Sequence, residues 1–432
     1  MDLSGHAREM SAHDFTTFKY AEREAVMIRR YKSKEIKIDR LNGKDQWDDW
    51  FASEDSENEG ATSYVLICSR APEVFGAPAP VSYLPFTAGT WQKLAKLLHL
   101  HRNITRTIAR RVAYFSSIRR LPQDDESKLE ITYTARTSAA LPDDIALSSA
   151  YIPANNTSFA VFYGCNERQT RDIITSLRSA PNVVDHPLLY TGILTELERK
   201  RLVNLAEDLV DKFTVNSDTL ENQSWSLNTL KMQESLAICV RSRSLMDQIR
   251  SIKRQLARVL DELKLIEQEE WISAQALEMG MLVKQKVVDA LDELDDKIDE
   301  CNMMAENLSL AMQTVWSQKA REDSVVNTQL ARANTTIAME SRIENSQMRS
   351  IAVLGMIYLP LSCVGSIFST TIFNWRPSEG EPVISNYIWI LLVISAGLTG
   401  LTLLAWHLTS KREKLKQDKR GKSFEIELEK IP

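Results

Sequence analysis

Residues 345–372 read NSQMRSIAVLGMIYLPLSCVGSIFSTTI, and the fold turns on this stretch. No charge falls between residues 351 and 368, and the apolar run is long enough to cross a hydrocarbon core about 30 Å thick. A second uncharged stretch, 383–410, follows the short loop NWRPSEGEPVISN. Two spans joined by so short a loop, near the C-terminus of a mostly polar chain, describe a multi-pass membrane protein with one large soluble side.

Pro360 lies inside the first span, where neighbouring helices, hydroxyl side chains or water must satisfy the carbonyl it frees. Steps of four and three place Ser362, Ser366 and Ser369/Thr370 on one helical face. Carried backwards, the same steps collect Leu359, Gly355, Ala352, Met348 and Asn345. Such a face serves either of two ends. It packs one membrane helix against another through small residues, or it lines a water-filled path.

The stretch resembles the first membrane helix of the CorA-type magnesium transporters, including their divergent fungal branch. The resemblance rests on Asn345, Met348 and Arg349 as an N-x-x-M-[K/R] lead-in, on Leu359-Pro360-Leu361, and on where the span ends. The family ends it with a Gly-Met-Asn triplet at the outer mouth; here Ser369, Thr370 and Thr371 stand in those places. The likeness covers the last third of the chain and fades before about Trp225. It implies a homopentamer whose first span lines the pore, with Asn345, Met348, Leu359, Ser362 and Ser366 facing a hydrated cation. Magnesium suits such a path because it gives up water reluctantly. The acidic loop residues Glu379 and Glu381 would concentrate cations at the mouth.

The 432 residues are enough for two or three units. A net charge of −5 with no basic patch gives no sign of a nucleic-acid partner. The N-terminus lacks the apolar core of a secretory signal, and five cysteines without CxxC spacing point to a reducing compartment. No Ser/His/Asp arrangement or phosphate-cradling glycine loop is present, so no catalytic role and no cofactor is expected beyond the cation itself.

Residues 1–60 read as a partly disordered extension. Within it DQWDDWFASEDSENE, 45–59, holds seven acidic residues and no basic one, as in a solvated segment. Its Trp47, Trp50 and Phe51 leave a short docking helix as the other reading. Residues 61–187 read as a cytosolic α/β domain with strands at 64–69, 129–135 and 159–163 and a helix over 91–115. His99 and His101 on that helix would point nearly opposite ways, which argues against a metal site.

From 188 to 349 the chain is helix-permissive, forming a long stalk. Leu245, Ile249, Ile252, Leu256, Val259, Leu263 and Ile266 keep strict four-three steps. Val287, Leu291, Leu294, Ile298, Cys301, Ala305, Leu308, Met312 and Val315 do the same. These seams predict an antiparallel helical hairpin turning at 269–280. Residues 321–349 place Asn, Thr, Ser and Gln where a buried seam would have Leu, as at the wet centre of an oligomer or along an exposed helix of one subunit. Residues 289–300, DALDELDDKIDE, pack seven carboxylates beside one lysine. Asp292, Asp295, Asp296 and Asp299 are therefore either a regulatory divalent-cation site or a solvated acidic flank.

The expected order is thus an α/β cytosolic domain, long coiled-coil-like helices and two C-terminal transmembrane helices. The spans are set at 350–372 and 387–409, with an extracytoplasmic loop at 373–386 and a basic tail at 410–432. Residues 411–422 carry seven basic and two acidic side chains, against one and two in the loop. The positive-inside rule then puts both termini in the cytosol, with the plasma membrane as the expected site. A membrane-anchored coiled-coil scaffold, or a relative that has lost transport or moves another divalent ion such as zinc, fits the same residues.

Overall fold

The computed structural model describes the backbone of residues 10–31, 35–57, 61–73, 79–120, 129–179, 186–221, 225–372 and 388–428. Within those helices, side chains at 55–57, 216–221, 225–232, 315, 367–372, 391 and 413–428 lie outside the description. The chain divides into two units, Met1–Gln313 and Thr314–Pro432.

The first unit is built on β2 (Ala25–Tyr31), β3 (Ile36–Leu41), β4 (Ala61–Ser69), β6 (Tyr114–Arg120), β7 (Glu130–Arg136), β8 (Ala146–Ile152) and β9 (Thr157–Cys165). They form one sheet in the order β3-β2-β4-β9-β8-β7-β6. Only β4 and β9 run parallel, Val65 opposite Ala160 and Ile67 opposite Phe162; every other neighbour is antiparallel. Two further strands, β1 (Lys19–Tyr20) and β5 (Tyr83–Leu84), pair with each other alone.

The central strands are buried as continuous runs because both sheet faces are covered. Alternate residues serve alternate faces. Met27, Leu66, Phe159, Val161 and Tyr163 join one core with Trp47, Phe86, Trp91 and Leu94. Those partners come from α2 (Lys44–Glu57), α3 (Ala88–Leu97) and the turn between β5 and α3, with α4 (Asn103–Ala109) adding Ile104 and Ile108. The short α1 (Ala12–Phe15) is capped by Ser11 and tied by Asp14 to Arg102 at 2.9 Å. Val26, Ile28, Val65, Ile67, Tyr133 and Phe162 belong to the opposite core. They share it with α5 (Glu167–Ser179), α6 (Leu189–Glu221), α7 (Trp225–Glu267) and α8 (Ala274–Ile372).

Two strands of the expected extension, β2 and β3, therefore belong to the sheet, and no boundary falls at 60. In the acidic segment Trp47 and Trp50 are buried, and Glu54 accepts from both Arg29 and Tyr64, the hydroxyl at 2.7 Å. Its tryptophans and this buried pairing outweigh the charge, so the docking-helix reading is the right one. The helix expected over 91–115 breaks at His99, whose φ of 51° is left-handed, and resumes as α4 before entering β6. His99 stacks on Phe159, with its Nδ1 3.3 Å from Glu130.

Both heptad seams are present. All seven positions from Leu245 to Ile266 are buried on α7. On α8, Val287, Leu294, Ile298, Cys301 and Leu308 are buried, while Ala305 is exposed and Met304 takes its place. A three-residue step from Cys301 puts the larger side chain into the seam. The hairpin turn occupies 268–273, overlapping the start of the expected range. Ion pairs lace α8 to its neighbours: Glu293 to Arg199, Asp295 to Lys253, and Lys284 to Glu267 at 3.1 Å.

Candidate functional site

In the second unit α8 presents three faces. The least exposed stripe is Val353, Met356, Pro360 and Val364, at steps of three and four. On α9 (Ile388–Leu428) the corresponding positions are Ser395, Thr399, Thr402, Leu403, Trp406 and Ser410. Arg349, one step before the α8 stripe, sets its guanidinium 5.0 Å from the Trp406 ring, joining the two stripes. Small hydroxyl residues recur along the α9 stripe, the residue type that membrane helices use where they pack. Pro360 is buried on this stripe without ending the helix.

The second face carries Asn345, Met348, Ala352, Gly355, Leu359, Ser362 and Ser366, and all seven are exposed. A Cβ added at Gly355 would meet nothing within 4 Å. The Ser362 hydroxyl donates to the Leu359 carbonyl at 3.1 Å, which satisfies it within its own helix. This hydroxyl face is therefore not the one that packs against α9. Followed upstream by the same steps it gives Ser341, Ile337, Asn334, Leu330 and Asn327, all exposed on the uninterrupted helix. The third face is Ile351, Leu354, Ile357, Tyr358 and Leu361, exposed and without charge.

Two helices in the described residues are long and apolar enough to cross a membrane: the C-terminal part of α8, and residues Ile388–Arg412 within α9. The seam on α9 went unread in the sequence, although Ser395, Thr399, Thr402 and Trp406 recur at steps of four and three. The stripe carries no apolar periodicity, because its hydroxyls are less apolar than the exposed Leu, Val and Ile around them, so only their spacing marks it.

The remaining candidates are less assembled. Ser369, Thr370 and Thr371 continue α8 as helix, but their side chains lie outside the described residues, as do Glu379 and Glu381. Asp292, Asp295, Asp296 and Asp299 are all exposed along one flank of α8. Asp295 pairs with Lys253. Lys297, between them, is partly desolvated, yet hydrogen bonds to Glu300 and Glu207 hold its ammonium above the usual range. Among the described residues no three His, Cys, Asp or Glu side chains of one chain converge on a point where a metal ion could sit.

No family model and no curated protein matches the chain. Solved structures do. The full-length CmaX protein is similar over 90% of this chain and 98% of its own, at 13% identity and a TM-score of 0.38. The CorA magnesium transporter from Methanocaldococcus jannaschii is similar over 90% and 98%, at 10% identity and 0.39. The ZntB cytoplasmic domain from Vibrio parahaemolyticus is similar over 67% and 99%, at 10% identity and 0.38. At these values neither a ligand nor a mechanism transfers from those proteins to this one.

Proposed function

We propose that the protein is a membrane channel for divalent cations, working as a ring of identical chains with the Asn345–Met348–Leu359–Ser362–Ser366 face of α8 turned to water. One observation supports the reading above others: within the chain, the face bearing the hydroxyls is separate from the stripe that meets α9. Two spans cannot enclose a water path alone, so that face needs other copies around it. The resemblance of residues 345–372 to the first CorA-type span makes five copies and magnesium the expected number and ion. A wide polar path suits a cation that keeps its water.

In this reading Ser369, Thr370 and Thr371 form the outer mouth, and Glu379 with Glu381 raises the cation concentration outside it. Hydroxyls there lack the amide that asparagine offers to a hydration shell. The acidic flank at Asp292, Asp295, Asp296 and Asp299 would bind divalent ions between copies and close the path when the cytosolic concentration is high.

Cation entry into liposomes carrying the purified protein tests the proposal. Magnesium entry is expected, and replacing residues 369–371 by Gly-Met-Asn should increase the preference for magnesium over other divalent ions. Zinc entry without magnesium entry would reassign the ion. An intact oligomer that passes neither would leave a helical scaffold.

A further inference from the structure

The contact between Arg349 and Trp406 sits at one end of both membrane-crossing stretches. Arg349 stands just before the uncharged run of α8 begins at Ile351, and Trp406 one turn before the uncharged run of α9 ends at Ser410. Their approach at 5.0 Å sets these two ends at one level. Tryptophan favours the boundary between hydrocarbon and headgroups, which is where that level belongs. On the membrane side of the pair Ile351 and Leu354 of α8 and Leu401 and Leu404 of α9 are exposed and apolar. On the other side the surface turns basic.

Arg342 lies two turns before Arg349 on the same face of α8, and Lys411 and Arg412 follow Trp406 on the next turns of α9. All four cations are exposed, and among the described residues none has a carboxylate at ion-pair distance. Glu344 is the nearest acid upstream of Arg349, but it lies roughly 140° around the helix. The aromatic contact spends no donor: among the described residues the N–H groups of the Arg349 guanidinium have no hydrogen-bond partner. Unspent donors and unbalanced charge at this depth ask for an anion that resides in the headgroup layer.

We propose that this cluster binds the phosphate of an anionic phospholipid in the leaflet on the side of the basic tail, with Arg349 donating to it. A guanidinium offers phosphate paired donors in a fixed fork, where an ammonium offers only a point charge. Arg342, Lys411 and Arg412 add attraction around that contact, and the indole holds Arg349 at headgroup depth. The seven basic residues between 411 and 422 draw the chain to the same leaflet without selecting a lipid. The site rests on both helices crossing the membrane and not on what they conduct.

The test uses the full chain, purified in detergent and titrated with phosphatidylglycerol or phosphatidylcholine, bound lipids being counted by native mass spectrometry. A preference of about tenfold for phosphatidylglycerol is expected. Arg349→Gln should reduce that preference about fivefold, the share of one basic residue at a lipid surface. Arg349→Lys keeps the charge without the fork and should fall between the two. Arg321→Gln, farther up the same helix, removes a charge away from the cluster and should change nothing. Inorganic phosphate at millimolar concentration should not displace the lipid. Equal losses in Arg321→Gln and Arg349→Gln overturn the proposal, since net charge alone then governs binding. So does displacement by phosphate, or an undiminished preference in Arg349→Gln. Should Arg349→Gln fail to fold, Arg349→Lys decides, and full preference in that variant contradicts the assignment.

Discussion

Helix α8 passes through two environments without a break. From residue 283 to 308 its apolar positions recur every three or four residues, and Val283, Val287, Ala290, Leu294, Ile298, Cys301, Met304 and Leu308 are each buried within the chain. Beyond residue 314 Val325, Val326, Leu330, Ile337, Ile343, Leu354 and Leu359 are exposed. The first arm finishes its packing with α6 and α7, whereas the second offers apolar and hydroxyl faces that stand exposed among the described residues. Exposed apolar surface on this scale marks an interface with lipid or protein. One arm belongs to a self-sufficient fold; the other leaves its surface for lipid or protein to cover.

The strongest way to break that contrast is to attack the self-sufficient unit. Trp47→Ala should destabilise it by about 3–5 kcal/mol, since the indole is fully buried beneath an acidic helix. An unchanged unfolding midpoint would return α2 to the status of a solvated segment. Leu294→Ala on the first arm should cost about 2–5 kcal/mol. Leu330→Ala on the second should leave the same transition within about 0.5 kcal/mol. Equal losses at both positions would erase the distinction between the arms.

A third prediction concerns pH. His186 is buried just before α6, its Nδ1 accepts from the Leu188 amide at 3.1 Å, and burial lowers its pKa to about 4. The unfolded chain takes up a proton near pH 6.5 while the folded one does not. Stability is therefore full above about 6.5 and declines as pH falls towards 4, by roughly 2–4 kcal/mol in all. His186→Gln should flatten that slope, as read from unfolding midpoints across the window. The smallest structural effect belongs to the acidic flank. Changing Asp292, Asp295, Asp296 and Asp299 to Asn should alter stability by only a few tenths of a kcal/mol per pair. The same variant should stay open at high internal magnesium, and normal closure would leave a solvated flank.

Regular spacing carried the long helices. The α7 seam reads directly from Leu245 to Ile266, because steps of four and three leave few other structures open. The two spans are equally plain from their lack of charge. Residues 25–31, AVMIRRY, hold a strand signal that the charged surroundings masked. β8, reading ALSSAYI, holds almost none: Ser148 and Ser149 are buried there with no partner among the described residues, and neighbouring strands impose the conformation. The candidate pore face was readable as a periodicity, but its two meanings were not separable. Only the placement of Val353, Met356, Pro360 and Val364 towards α9 tells the packing face from the hydroxyl one.

That separation is what cysteine accessibility measures. In a background with Cys363 replaced by alanine, single cysteines at Asn345, Met348, Leu359, Ser362 and Ser366 would be exposed to membrane-impermeant thiol reagents in the assembled protein. Rapid labelling is expected along this face, and none at Ile357, turned towards lipid, or at Val364, packed against α9. Equal labelling around the helix, or protection at Ser362 and Ser366 with reaction at Ile357, would contradict a water-facing hydroxyl surface.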